Sequence, residues 1–252
     1  MRSWHDLLAA FAFLSRLPTP GYSHDALTLA RSSKFFPLVG FVLTIPAYTV
    51  YWLLSGHAAT PVRCVLVLCL LVLLTGGLHE DGLADVADGF GGGWTRERVL
   101  EIMRDSRIGS YGALALVLSV LVRYVLLTNL SPDRFWPYLA SAHILCRWSA
   151  LPLSFLLPAA HRVDGKGASI AQKVSRPSFI IGTTIMVVLC VPLLKLDFWA
   201  PLLSSIFVVF LSAYYYRRRI GGVTGDCFGA TNQLVEIATY LCGVLGGQTL
   251  NS

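Results

Sequence analysis

Seven apolar stretches run through this chain, at roughly residues 35–54, 62–78, 110–130, 135–157, 179–196, 198–216 and 228–246. Each is close to the ~20 residues that cross a bilayer core as a helix. Charged residues make up 13% of the chain, about half the ~25% of a soluble domain. Hydrophobic residues make up 55%, and the mean hydropathy is +0.63. An ordinary soluble domain is excluded, and so is disorder, which needs low hydrophobicity and high charge. The expected fold is an all-α polytopic membrane bundle of about seven transmembrane helices, in a single integral-membrane domain over 1–252. The fourth stretch carries His143 and Arg147. The seventh holds Asn232, Gln233 and Glu236 and is the weakest; if it is re-entrant or interfacial, six spans remain. Ahead of the first, Trp4, Leu7, Leu8, Phe11 and Leu14 recur at helical spacing and predict an N-terminal interfacial helix. That stretch does not read as a signal peptide, because Arg16-Leu17-Pro18 stand where small residues would be cleaved. The six cysteines show no C-x-x-C pair and read as small packing residues.

The basic residues give an independent check. Outside the spans, 15 Lys and Arg fall on one side and three on the other. The larger set comes from 1–34, 79–109, 158–178 and 217–227; the smaller is Arg63, Arg134 and Lys195. Short loops rich in Lys and Arg stay cytoplasmic. The N-terminus and the 79–109 segment are therefore placed inside, and seven spans would leave the C-terminus outside. The formal charge of +6 is this loop excess. It points to membrane lipid and not to nucleic acid as a partner.

Seven of the fourteen acidic residues lie between Glu80 and Asp105. The densest part reads Thr75-Gly76-Gly77-Leu78-His79-Glu80-Asp81-Gly82-Leu83-Ala84-Asp85-Val86-Ala87-Asp88-Gly89. Taken as a helical extension of the second span, it places Asp81, Asp85 and Asp88 at about 0°, 40° and −20° around the axis. Three carboxylates on one stripe repel unless they are solvated or cations lie between them. Hard divalent cations take oxygen ligands, and Mg²⁺ shares its shell between a few carboxylates, phosphate oxygens and water. The stripe therefore suggests a metal–diphosphate site; the alternative is a solvated acidic face. Gly82 and Gly89 weaken the helix by about 1 kcal/mol each relative to alanine, a cost that makes sense only if something approaches the backbone closely. Gly91-Gly92-Gly93 breaks the helix, and Thr95 is a plausible N-cap for a short helix over 96–107. Its Arg98, Arg104 and Arg107 offer forks that suit diphosphate oxygens, or form surface ion pairs with Glu101 and Asp105.

A second polar cluster, Gly221-Gly222-Val223-Thr224-Gly225-Asp226, precedes a helix that carries Asn232 and Glu236 at i, i+4. Glycines, an Asp and a helix N-terminus can form a metal–phosphate site; a turn is the alternative. Arg123 and Arg147 within spans usually face the bundle or snorkel. His79 and His143 read as hydrogen-bonded packing residues more readily than as ligands.

The stretch TGGLHEDGLADVADG from Thr75 to Gly89 resembles the signature of the cobalamin synthases, the adenosylcobinamide-GDP ribazoletransferases. Four further pieces agree in order: Phe13 to Pro20 (FLSRLPTP), Phe36 to Gly40 (FPLVG), Leu100 to Gly109 (LEIMRDSRIG), and Gly222 to Asp226 (GVTGD). The resemblance implies a multi-pass inner-membrane enzyme of late cobalamin assembly. It implies transfer of adenosylcobinamide phosphate from adenosylcobinamide-GDP to α-ribazole or α-ribazole 5′-phosphate, with release of GMP. Mg²⁺ is the implied cofactor, and a homo-oligomer is an ordinary expectation for such enzymes. On this reading Asp81 and Asp85 hold the metal, with Glu80 and Asp105 as further candidates and Asp226 able to complete the shell. Asp88 is the candidate general base. Arg104, Arg107, Asp105, Asp226 and Thr224 are candidates for substrate binding. The acidic motif is also similar in layout to that of the CDP-alcohol phosphotransferases, but Ala84 stands where that group has Arg. A lipid-forming alcohol phosphotransferase and a transporter are the competing classes. Transporters usually place polar sites near the midplane, whereas these acids cluster at one surface.

Overall fold

The computed structural model describes residues 2–19, 26–160 and 174–248. Pro20 of the first motif, and Arg162, Lys166 and Lys173 of the basic loop, lie outside the described residues. Helix α1 covers Arg2–Leu14 and α2 covers Ala26–Ser32, which continues through a 3-10 turn into α3, Phe36–Leu53. Then come α4 (Thr60–Thr75), α5 (Leu78–Gly92), α6 (Arg96–Ile102), α7 (Ser110–Thr128), α8 (Pro132–Trp148) and α9 (Ala150–Leu156). The last three are α10 (Arg176–Leu194), α11 (Trp199–Ile220) and α12 (Gly225–Gln248). Among the described residues there is no strand, only an isolated bridge between Ala159 and Val223. The chain is an all-α bundle with a lipid-compatible exterior. Leu114, Val117, Leu118, Leu121 and Val125 of α7, and Phe207 and Phe210 of α11, are exposed.

The seven-span count is not reproduced. Four helical stretches are long and apolar enough to cross a membrane: Leu27–Leu53, Ser110–Thr128, Pro132–Leu156 and Arg176–Ile220. A fifth appears if α4 and α5 count as one broken span. The run Arg176–Ile220 doubles back at Lys195, whose φ is +51°. Gly182 of α10 packs on Leu151 near one end of the α8–α9 pair. Asp197 then accepts from Arg134 at the other end (2.6 Å). Gly222, just past α11, returns to Pro158. The weak seventh stretch is α12, and it packs against α5, α7, α8 and α11. Asn232, Gln233 and Glu236 are all buried there. Leu234, Leu241 and Leu245 are its exposed apolar residues; the rest of the helix is covered by its neighbours, where polar residues are tolerated, so its composition reads weakly as a span.

The expected straight extension of the second span is also corrected. Gly76 and Gly77 both adopt left-handed φ, +67° and +70°, a region open to glycine at no steric cost. The chain there turns by 87° between α4 and α5. The C-terminal end of α5 is held by Arg219, which donates to the Phe90 and Gly93 carbonyls at 3.0 and 2.7 Å. Thr95 caps α6 as expected, accepting from Arg98 N at 3.3 Å. That helix stops at Ile102, earlier than the expected 107.

Helix α1 does more than lie at an interface. Its Asp6 is buried and pairs with Lys34 (2.7 Å) and Arg31 (3.3 Å), which ties α1 to the chain leading into α3. Ala9, Ala12, Phe13 and Leu14 then form one wall of the main cavity.

Candidate active site

Helices α5 and α12 meet backbone to backbone where Gly82 faces Gly229. A Cβ on Gly82 would lie 2.8 Å from the Asp226 carbonyl oxygen and 3.2 Å from Gly229 Cα. Close approach at Gly82 is expected from the sequence; what approaches is α12 itself. Small residues at such crossings are how membrane helices gain contact area. Gly89 similarly admits Val99 and Met103.

The crossing has a chemical result. It brings Asp226, in the first turn of α12, to the face of α5 that bears Asp81 and Asp85. All three line one cavity of about 740 Å³. Arg16, Ser106 and Ile108 line it too, with Leu116, Ala150 and Phe228 as apolar wall. Among the described residues, no Lys or Arg nitrogen lies within 4.0 Å of Asp81, Asp85 or Asp226. Burial pushes the Asp85 carboxyl up to about 7, and the charges of Asp226, Asp81 and Asp88 push the same way. Burial also raises Asp226, against the lowering effect of the Thr224 hydroxyl, which donates to its Oδ2 at 3.3 Å. The three carboxylates therefore have no basic side chain in contact, although Arg16 and Arg147 also line the cavity, and the site is rich in oxygen donors. That donor set fits a hard cation such as Mg²⁺, which needs only one or two carboxylates when phosphate and water complete its shell.

A different trio offers ligand atoms within 4.8 Å of one another: His143, Cys146 and Glu236. It fits a cation poorly. Arg147 Nη1 already donates to His143 Nδ1 (2.7 Å) and Cys146 Sγ (3.0 Å), and Arg123 Nη1 lies 3.5 Å from Glu236.

Comparison with known proteins settles the family. Residues 6–244 match the family model described as Cobalamin-5-phosphate synthase. The chain belongs to that family. It is 39% identical to the adenosylcobinamide-GDP ribazoletransferase of Leptospira interrogans, over 94% of each chain. The proteins of the same name from Shewanella piezotolerans and Ralstonia pickettii are 36% and 38% identical, over 98% and 93% of this chain and 99% and 93% of their own. No solved structure matches.

In this cobalamin-5-phosphate synthase family member, the sequence candidates divide. Asp81, Asp85 and Asp226 come together. Thr224 supports Asp226 and also accepts from Cys227 N at 3.4 Å, at the start of α12. Asp88, the expected base, does not line the cavity. Its two carboxylate oxygens accept from Gly109 N (2.7 Å) and Gly112 N (2.8 Å), so it caps the N-terminus of α7 from a neighbouring helix. The glycines at 109 and 112 make room for it. Glu80 is engaged elsewhere, accepting from Arg123 (3.0 Å) and Gln233 (3.2 Å). Asp105 and Arg107 form a bidentate pair at the surface; the Arg107 hydrogen bonds hold the Asp105 carboxyl down at about 2. Neither lines the cavity, and Arg104 is exposed outside it.

Several polar cavity residues are not singled out as site residues by the sequence, among them Arg16, His79, Arg147 and Asn232. Arg16 had a signal, since it sits in the FLSRLPTP motif. Its backbone N–H donates to Leu74 (2.7 Å), and its guanidinium occupies the space a Cβ at Gly76 would need.

Proposed function

We propose that the cavity joins two halves of a cobalamin. The reading is transfer of adenosylcobinamide phosphate from adenosylcobinamide-GDP to α-ribazole or its 5′-phosphate. The ribose 3′-hydroxyl forms a bond to the phosphorus attached to cobinamide, the bond to the GMP oxygen breaks, and GMP leaves. The observation that carries this reading is the convergence of Asp81, Asp85 and Asp226, without a cationic partner, in one cavity. The relatives named for this transfer support it.

Asp81 and Asp85 would hold Mg²⁺, which would neutralise the diphosphate and align the attacking and leaving oxygens. Asp226 is the better-placed proton acceptor now that Asp88 is committed to α7, and its raised carboxyl suits that role. Arg16, at the cavity edge beside the Gly76-Gly77 turn, replaces Arg104 and Arg107 as the first phosphate contact. The apolar wall from α1 and α3 would receive the flat base of the ribazole. The excess of Lys and Arg supports placing the cavity at the cytoplasmic face of the inner membrane.

The test uses detergent-solubilised protein with adenosylcobinamide-GDP and either ribazole, with and without Mg²⁺. Mg²⁺-dependent release of GMP together with a cobalamin is expected. Folded protein that releases nothing would overturn the reading, and CDP-alcohols would then be tried for release of CMP.

A further inference from the structure

Three arginines are almost fully buried in this bundle. Arg123 is 3% exposed and meets Glu80 at 3.0 Å and Glu236 at 3.5 Å. Arg134 is 8% exposed and meets Asp197 at 2.6 Å. Arg147 is 2% exposed, and among the described residues no carboxylate lies within 4.0 Å of it. Its Nη1 donates only to neutral groups, His143 Nδ1 and Cys146 Sγ. Its Nε is buried with no partner. A guanidinium stays charged in any protein environment, and an uncompensated buried charge costs several kcal/mol.

The surroundings show that this position is built. Arg147 lines the same cavity as the three aspartates. Beside it on that lining stand His79, 4% exposed with an unpartnered Nδ1, and Asn232, 5% exposed with an unpartnered amide oxygen. Native proteins pair nearly all their buried polar atoms, so the uncompensated Arg147 guanidinium and the unpartnered His79 Nδ1 beside one cavity point to a ligand that accepts hydrogen bonds. Gly40 of the FPLVG motif lets α3 close onto α8 at this point, where a Cβ would run into the His143 backbone carbonyl and lie 2.6 Å from Arg147 Cδ. Nothing in the aspartate chemistry accounts for that motif.

We infer that Arg147, with His79 and Asn232 on the same cavity lining, binds a phosphate group of a substrate. An arginine fork matches phosphate oxygens, and the Asn232 amide N–H and the His79 imidazole N–H can each donate a further hydrogen bond. The inference rests on the proposed reaction, in which that phosphate is either the donor's diphosphate or the 5′-phosphate of the acceptor.

Arg147→Gln and Arg147→Lys test it, the second keeping the charge but not the planar fork. Kinetics with free and phosphorylated ribazole separate the sources. If the site holds the acceptor phosphate, the preference for phosphorylated over free ribazole in kcat/KM falls roughly ten- to hundredfold in both variants. If it holds the donor diphosphate, the KM for adenosylcobinamide-GDP rises by a similar factor with either acceptor. A second readout needs no turnover: stabilisation of the wild-type protein by inorganic pyrophosphate or α-ribazole 5′-phosphate in a thermal melt, lost in Arg147→Gln. Should wild-type protein catalyse nothing, that melt still reports anion binding, so failure of the reaction and failure of the site are distinct. If Arg147→Gln does not fold, Arg147→Lys, which keeps the buried charge, carries the test. Kinetic constants and anion-dependent melting both unchanged from wild type would overturn the inference.

Discussion

Helix α5 presents carboxylates to two environments that treat them in opposite ways. Glu80, with Glu236 from α12, meets the guanidinium of Arg123 inside the bundle. Asp81 and Asp85, with Asp226 from the same α12, meet no cation among the described residues and share a cavity. The two clusters come from the same pair of helices. In one, a single guanidinium contacts both carboxylates, which ties α5, α7 and α12 together. In the other, no basic side chain contacts the carboxylates, and the cavity leaves room for a ligand beside them. The buried arginines repeat the contrast, Arg123 paired and Arg147 unpaired. Acidity within a membrane bundle is therefore not itself a mark of catalysis; what distinguishes the site is that no basic side chain pairs with its carboxylates.

The largest effect that would break this comparison is on turnover. Asp81→Asn and Asp85→Asn should each lower kcat by about 10³-fold or more, because a group that stabilises charge only in the transition state is worth several kcal/mol. The melting temperature should hold or rise, since each change relieves repulsion. Asp105→Ala should stay within about twofold of wild type, an exposed ion pair being worth little. GMP release measured on all three checks this; activity lost in Asp105→Ala and kept in Asp85→Asn would reverse the assignment.

The paired cluster should respond in stability. Arg123→Met strands Glu80 and Glu236 and should cost about 3–5 kcal/mol. Replacing all three residues by Leu or Met should recover most of that. A melt of the single and triple variants decides: equal losses in both would mean the network holds something besides charge balance.

Asp88 sits between the two cases, and it shows how far the sequence could be read. The i, i+4, i+7 spacing correctly predicts a helix with Asp81, Asp85 and Asp88 on one stripe. It cannot show that the start of α7 lies against the far end of that stripe, because this depends on Gly109 and Gly112 admitting the carboxylate. Asp226 was legible, since a glycine-rich turn before a helix has its own signature. Arg104 and Arg107 were misleading, because charge counts give the side of the membrane but not the direction of a side chain. The apolar runs made the bundle legible but not the number of passes, since α12 is polar where other helices cover it. As a helix cap, Asp88→Ala should lower stability by roughly 2–3 kcal/mol and leave folded enzyme within about tenfold of wild-type kcat. Near-zero activity at unchanged stability would return Asp88 to the role of base.

The smallest effect concerns protons. The Asp85 carboxyl, ordinarily at 3.8, is raised to about 7 by burial and then by Asp226, Asp81 and Asp88. A carboxyl raised in the folded state contributes most to stability below its unfolded value, and that contribution is lost as pH rises through the folded one. Cation-free protein should therefore melt a few degrees lower at about pH 8 than at about pH 5.5, apart from other titrations shared with a variant. Mg²⁺ binds the ionised form, so the melting gain it gives should grow over the same window. Asp85→Asn removes the titrating group and should flatten both slopes, leaving what Asp226 contributes. Identical slopes in wild type and Asp85→Asn would show that Asp85 is already ionised and balanced by a cation from the protein, and the contrast between the two clusters would fall.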